Sequence, residues 1–91
     1  MDIETTLGER QKTYGDFADV AHRAQTIKAA LRSGKGWSLM SSCQRESLEM
    51  ICNKLARIIE GDCYHVDSWL DIGGYSQLVV NWLEKDVVTE E

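Results

Sequence analysis

Apolar positions along the chain fall into three stretches with a step of three or four residues, punctuated by glycines. After Gly15, Phe17, Val20, Ala21, Ala24, Ile27 and Leu31 form one stripe, the spacing of a helix with a single buried face. Asp16 stands where an N-cap belongs, and Ser33-Gly34-Lys35-Gly36 closes the segment as a flexible connection, so a helix is predicted over residues 16–33. Leu48, Ile51, Cys52, Leu55, Ile58 and Ile59 predict a second helix over residues 41–60. Ser41 or Ser42 can cap it, Gln44 is placed for a capping box with Ser41, and Gly61 is its stop. The third, residues 66–85, is apolar on two sides: Val66, Trp69, Ile72, Gly73, Val80 and Leu83 on one, Tyr75, Leu78 and Trp82 with Asp67 and Asp71 on the other. A helix with two apolar sides must be covered on both. One side is expected to face the first two helices and the other a second copy of the chain. A short N-terminal helix over residues 3–11 is the alternative cover.

No strand-length alternation or hairpin turn interrupts this pattern, and there is no proline to break a helix. The fold expected is a single all-α domain of three main helices. An N-terminal segment (residues 1–15) precedes them and an acidic tail (residues 86–91) follows. The bundle is expected to be completed by assembly into a homodimer or a higher homo-oligomer. Gly73 and Gly74 fall inside the third helix, where each costs roughly 1 kcal/mol relative to alanine, which suggests close approach of another helix or a ligand.

Composition narrows the partners. With 91 residues the chain forms one domain with a small core. Its 10 Lys and Arg face 15 Asp and Glu, a net charge of -5 that disfavours direct binding to nucleic acid or to an anionic membrane. No apolar run approaches the length of a membrane span and no signal-like stretch opens the chain, so the expected location is the cytoplasm. Cys43, Cys52 and Cys63 show no metal-binding spacing and are expected to be free thiols.

Candidate chemistry lies in paired carboxylates. Glu46 and Glu49 are one turn apart on the second helix, as are Asp67 and Asp71 on the third. Four carboxylates brought together repel one another, so they call for a cation, and hard oxygen ligands completed by water suit Mg²⁺ beside a phosphate. Lys54 and Arg57, also one turn apart, are placed to meet phosphate oxygens. Antiparallel packing across the short loop after Gly61 would leave the two acidic pairs at different heights, and acids on amphipathic helices are commonly just solvated. Lys12 and Tyr14 offer a further cation and a stacking ring, although Tyr14 also suits a packing role ahead of the Asp16 cap, with Gly15 supplying an unusual backbone angle.

Gln44-Arg45-Glu46-Ser47-Leu48-Glu49, followed by Asp67-Ser68-Trp69-Leu70-Asp71-Ile72, resembles the MazG-like all-α nucleoside triphosphate pyrophosphohydrolases. Lys12-Thr13-Tyr14-Gly15-Asp16-Phe17, Lys54-x-x-Arg57 and Asp67-x-x-x-Asp71-Ile72-Gly73-Gly74-Tyr75 are similar to a group of short phage and prophage proteins, over roughly residues 8–83. The resemblance implies a Mg²⁺-dependent enzyme of the bacterial host cytoplasm that releases pyrophosphate from a nucleotide. Glu46, Glu49, Asp67 and Asp71 would then be metal ligands, and Lys54, Arg57, Lys12 and Tyr14 would contact substrate. The superfamily's second acidic pair is usually spaced E-x-x-D, whereas Asp67 and Asp71 are four apart. The alternative is a non-catalytic helical oligomer that sequesters a nucleotide or binds and inhibits a host protein.

Overall fold

The computed structural model describes residues 2–90, with side chains through Lys85. Among these residues the chain is four α-helices and one 3-10 turn, without strands: α1 Ile3–Tyr14, α2 Phe17–Arg32, the turn Trp37–Leu39, α3 Ser42–Glu60 and α4 Val66–Glu90. The N-terminal segment is therefore helical almost throughout, and α4 runs five residues beyond the span predicted for it. No helix of the described residues is long and apolar enough to cross a membrane.

The capping chemistry sets the helix ends. Ser41 Oγ accepts from the Gln44 backbone N–H at 3.2 Å while Gln44 Oε1 accepts from the Ser41 N–H at 2.9 Å, the reciprocal capping box that starts α3. Asp2 caps α1 by accepting from Glu4 N–H. Asp16 holds the N-cap position of α2, yet its side chain makes no capping bond. The link between α2 and α3 is tied down by Arg45, which donates to the carbonyls of Trp37 and Ser38, each at 3.0 Å.

Helix α3 is the middle of the molecule. Helices α2 and α4 pack on either side of it, far more against α3 than against one another, and α1 lies across α2 and α3. Successive residues turn by about 100° around a helix, so α3 presents two packing faces rather than one. Toward α4 it turns Ser47 and Ile58; Ser47 Oγ donates to the Tyr75 carbonyl at 2.9 Å. Toward α2 it turns Cys52 and Ala56, flanked by the Arg32–Glu49 and Arg23–Glu60 ion pairs. Small buried residues on both faces let the neighbouring helices approach closely.

This arrangement corrects the single stripe expected for α3. Leu55 and Ile59, at the centre of that stripe, lie between the two packing faces and stay exposed. Helix α4 behaves similarly. Its packed face is Ser68, Ile72, Tyr75 and Val79, and both shoulders keep exposed apolar residues: Trp69, Val80 and Leu83 on one, Leu78 and Trp82 on the other.

Gly8 lies within α1 with nothing within 4 Å of the position a Cβ would take. Gly8→Ala is expected to stabilise the protein by roughly 0.5–1 kcal/mol through helix propensity alone, read as a higher urea midpoint at unchanged slope. A lower midpoint would contradict the open surroundings of this helix. Burial pushes the Cys52 thiol up from its ordinary value, with Glu49 raising it further and Lys28 and Arg32 opposing. Cys52 is expected to resist a thiol reagent until the protein is unfolded, while the exposed Cys63 reacts at once. Equal rates for all three native thiols would contradict this packing.

Candidate functional site

Two glycines build the site. Gly15 joins α1 to α2 with φ +92°, a backbone region that favours glycine, and its N–H closes α1 by donating to the Gln11 carbonyl at 2.8 Å. A Cβ on Gly15 would lie 2.6 Å from the Glu60 carbonyl oxygen, and one on Gly61 would lie 2.5 Å from that of Thr13. The α1–α2 corner and the end of α3 therefore cross backbone to backbone. Asp62 N–H fastens the crossing with a 2.8 Å bond to the Thr13 carbonyl.

The crossing fixes what surrounds Tyr14. Arg10, one turn earlier on α1, sets its guanidinium carbon 4.9 Å from the centre of the Tyr14 ring, and Arg57 from α3 sets its own at 5.0 Å. His65, from the loop before α4, meets the same ring edge-on at 5.4 Å. Cation–π contacts of this kind contribute about 0.5–2 kcal/mol each and hold the ring in place. His65 Nε2 is buried without a hydrogen-bond partner among the described residues, and Asp67 Oδ2, at 3.9 Å, is beyond hydrogen-bond length.

A cleft of about 500 Å³ opens beside this cluster. Arg10, Tyr14 and Arg57 line it together with Leu7, Gln11, Asp16, Phe17 and Val20. Phe17 is 83% exposed at its edge. Its volume is within the range of small-molecule sites, commonly ~300–1,000 Å³. Among the described residues, neither Arg10 nor Arg57 has a carboxylate within ion-pair distance, although Arg23 and Arg32 are each paired. In a chain with a surplus of acids, two carboxylate-free guanidiniums on one aromatic ring form a local positive site. The first turn of α2, whose N–H groups lack a side-chain cap, adds the positive end of a helix dipole. Asp16 is the acidic group facing the same space. The cleft can take an anionic group on its arginines, a flat apolar group against Phe17, and a hydroxyl on Asp16.

The residues singled out in the sequence are divided by the fold. Tyr14 and Arg57 meet in the cleft. Lys54 instead points its largely buried ammonium at Asp71, 2.9 Å away, and Lys12 is exposed on α1 outside the cleft lining. The four carboxylates do not gather. Glu49 is tied to Arg32, Asp71 to Lys54, Asp67 is exposed beside His65, and Glu46 is exposed. Antiparallel packing is the cause. Ser47 sits beside Tyr75 and Lys54 beside Asp71, so Glu46 lies level with the middle of α4. Asp67 is about 15 Å away along the axis, at 1.5 Å of rise per residue. Among the described residues no three His, Cys, Asp or Glu side chains are grouped to hold a metal ion. Within one protomer these acids do not fit the Mg²⁺ site that the resemblance implies.

Arg10, Asp16 and Phe17 are site residues that the sequence reading left out. Arg10 was legible in principle, because it stands four residues before Tyr14, a spacing at which side chains share a face of a helix. The model of one protein family, described as a domain of unknown function (DUF6378), matches residues 3–82, a span that includes the whole cleft. Neither the curated proteins nor the solved structures yield a match.

Proposed function

The chain belongs to the DUF6378 family, and we propose that it binds a nucleotide in the cleft between α1, α2 and α3. One observation carries this reading: two guanidiniums without carboxylate partners among the described residues flank Tyr14 at the wall of a cleft large enough for a small ligand. Arginine forks bind phosphate oxygens through charge-assisted, often bidentate hydrogen bonds, and aromatic rings stack on bases. In this reading Arg10 and Arg57, held by the Tyr14 ring between them, bind phosphate, the exposed Phe17 offers a face for the base, and Asp16 accepts from a sugar hydroxyl.

The MazG-like resemblance supports nucleotide chemistry in a helical oligomer, in the setting of a phage protein in the bacterial cytoplasm. We derive no hydrolytic step, because the acids that would hold Mg²⁺ lie apart within the protomer. Sequestration of a nucleotide is the activity the cleft supports best.

Isothermal titration of the purified protein with each common ribo- and deoxyribonucleoside triphosphate tests the reading. Saturable binding of at least one at micromolar to millimolar concentration, weakened by added salt, is the expected result. No heat and no thermal shift with any of them would refute it. Pyrophosphate release on adding Mg²⁺ would extend the function to catalysis.

A further inference from the structure

Each copy leaves too much surface uncovered for a compact monomer. It exposes 6695 Å², whereas a folded monomer of 10.3 kDa exposes about 5,400 Å². Its radius of gyration is 15.8 Å, against about 12 Å for a compact chain of this length. The difference in area exceeds the roughly 800 Å² that each partner contributes to an ordinary stable interface.

One part of the uncovered apolar surface forms a continuous stripe. Lys54 and Asp71 mark one side of the α3–α4 pair. On the other side lie Leu55 and Ile59 of α3, and Trp69, Gly73, Ser76, Val80 and Leu83 of α4. The α4 residues step by four, three, four and three, the a/d spacing of a helix that packs lengthwise on another helix. Ile59 is 64% exposed, Trp69 55%, and Val80 and Leu83 42% each. Gly73 is unexplained within the protomer, since a Cβ there would meet nothing within 4 Å. A glycine in open space on an apolar stripe in mid-helix leaves room for an outside helix to approach closely.

We propose that α4 pairs antiparallel with α4 of a second copy of this chain, about a two-fold axis near Ser76. The stripe is complementary to itself only in that direction. Ser76 meets the partner's Ser76, Gly73 receives the partner's Val80, and Trp69 packs on the partner's Leu83. A parallel pair would instead oppose Gly73 to the partner's Gly73 and leave a gap. Antiparallel packing also carries the C-terminal part of the partner's α4 over Leu55 and Ile59, closing the open side of α3. The stripe carries no charge, so the chain's net -5 does not oppose the contact. This pairing is independent of what the cleft binds.

Sedimentation and cysteine cross-linking test the pairing. Wild type is expected to sediment at twice the mass of one chain at 50 µM, and a monomer at that concentration would overturn the proposal. Gly73→Leu should keep its helical circular dichroism, because the site is open within the protomer, and sediment as a monomer; a folded Gly73→Leu dimer would overturn it. In a background carrying Cys43→Ser, Cys52→Ala and Cys63→Ser, Gly73→Cys combined with Val80→Cys should oxidise to a covalent dimer. Val80→Cys alone should not, because the two copies of that position stand about 10 Å apart along the axis. A covalent dimer of the Val80→Cys single variant would overturn the antiparallel register, and absence of cross-linking in the double variant would overturn the contact itself.

Discussion

Gly61→Ala is expected to lower the melting temperature by about 12–24 °C, a loss of roughly 3 kcal/mol for a domain of this size. The added methyl would sit 2.5 Å from the Thr13 carbonyl oxygen and equally close to the Tyr14 carbonyl carbon. Both are backbone atoms that no rotamer change can move aside. Relief requires the α1–α2 corner to lift from the end of α3, which stretches the Asp62–Thr13 hydrogen bond and removes Arg57 from the Tyr14 ring. Gly15→Ala should behave alike, since its Cβ would meet the Glu60 carbonyl oxygen at 2.6 Å in a backbone conformation that side chains rarely adopt. Thermal unfolding followed by circular dichroism measures both variants, with Gly8→Ala as the matched control. If Gly61→Ala melts within 3 °C of wild type, the two backbones do not cross as closely as described.

The second large effect concerns the guanidiniums. Arg10→Ala and Arg57→Ala are each expected to weaken nucleotide binding at least tenfold, and the double variant about a hundredfold or more, with a shallower dependence on salt. Arg57→Lys should recover only part of the loss, because an ammonium keeps the charge but loses the planar fork. Removing either guanidinium costs about 0.5–2 kcal/mol of stability, its contact with the Tyr14 ring, and leaves no carboxylate unpaired among the described residues. Equal affinity of wild type and the double variant, by titration calorimetry on proteins with matched melting curves, would contradict the assignment.

These expectations rest on features of unequal legibility. Helices α2, α3 and α4 were readable from apolar spacing, with boundaries marked by Gly15 before α2, where Asp16 holds the N-cap position without a side-chain bond, and by the Ser41–Gln44 capping box before α3 and Gly61 after it. The inward face of α3 was harder to read. A helix flanked on two sides buries small residues on two faces, and hydrophobic spacing alone favoured Leu55 and Ile59 over Ser47 and Ala56. Gly61 was readable as a helix stop but not as a crossing point, because its partners, Thr13 and Tyr14, are distant in sequence.

The candidate site was legible in halves. Tyr14 and Arg57 were both named from the sequence, but nothing in spacing joins residues that only the Gly15–Gly61 crossing brings together. The acidic pairs show the converse: adjacent in pattern, they are displaced along antiparallel axes, and two of the four are neutralised by Arg32 and Lys54. The surplus of negative charge therefore does not reside in one cation site of the protomer.

Mapping a bound nucleotide by backbone amide chemical shifts tests the central claim most directly. The largest shifts on titrating the best-binding triphosphate should fall at residues 10–17, with further changes at Arg57 and His65. Shifts centred on Glu46, Glu49, Asp67 and Asp71, leaving residues 10–17 unmoved, would contradict it.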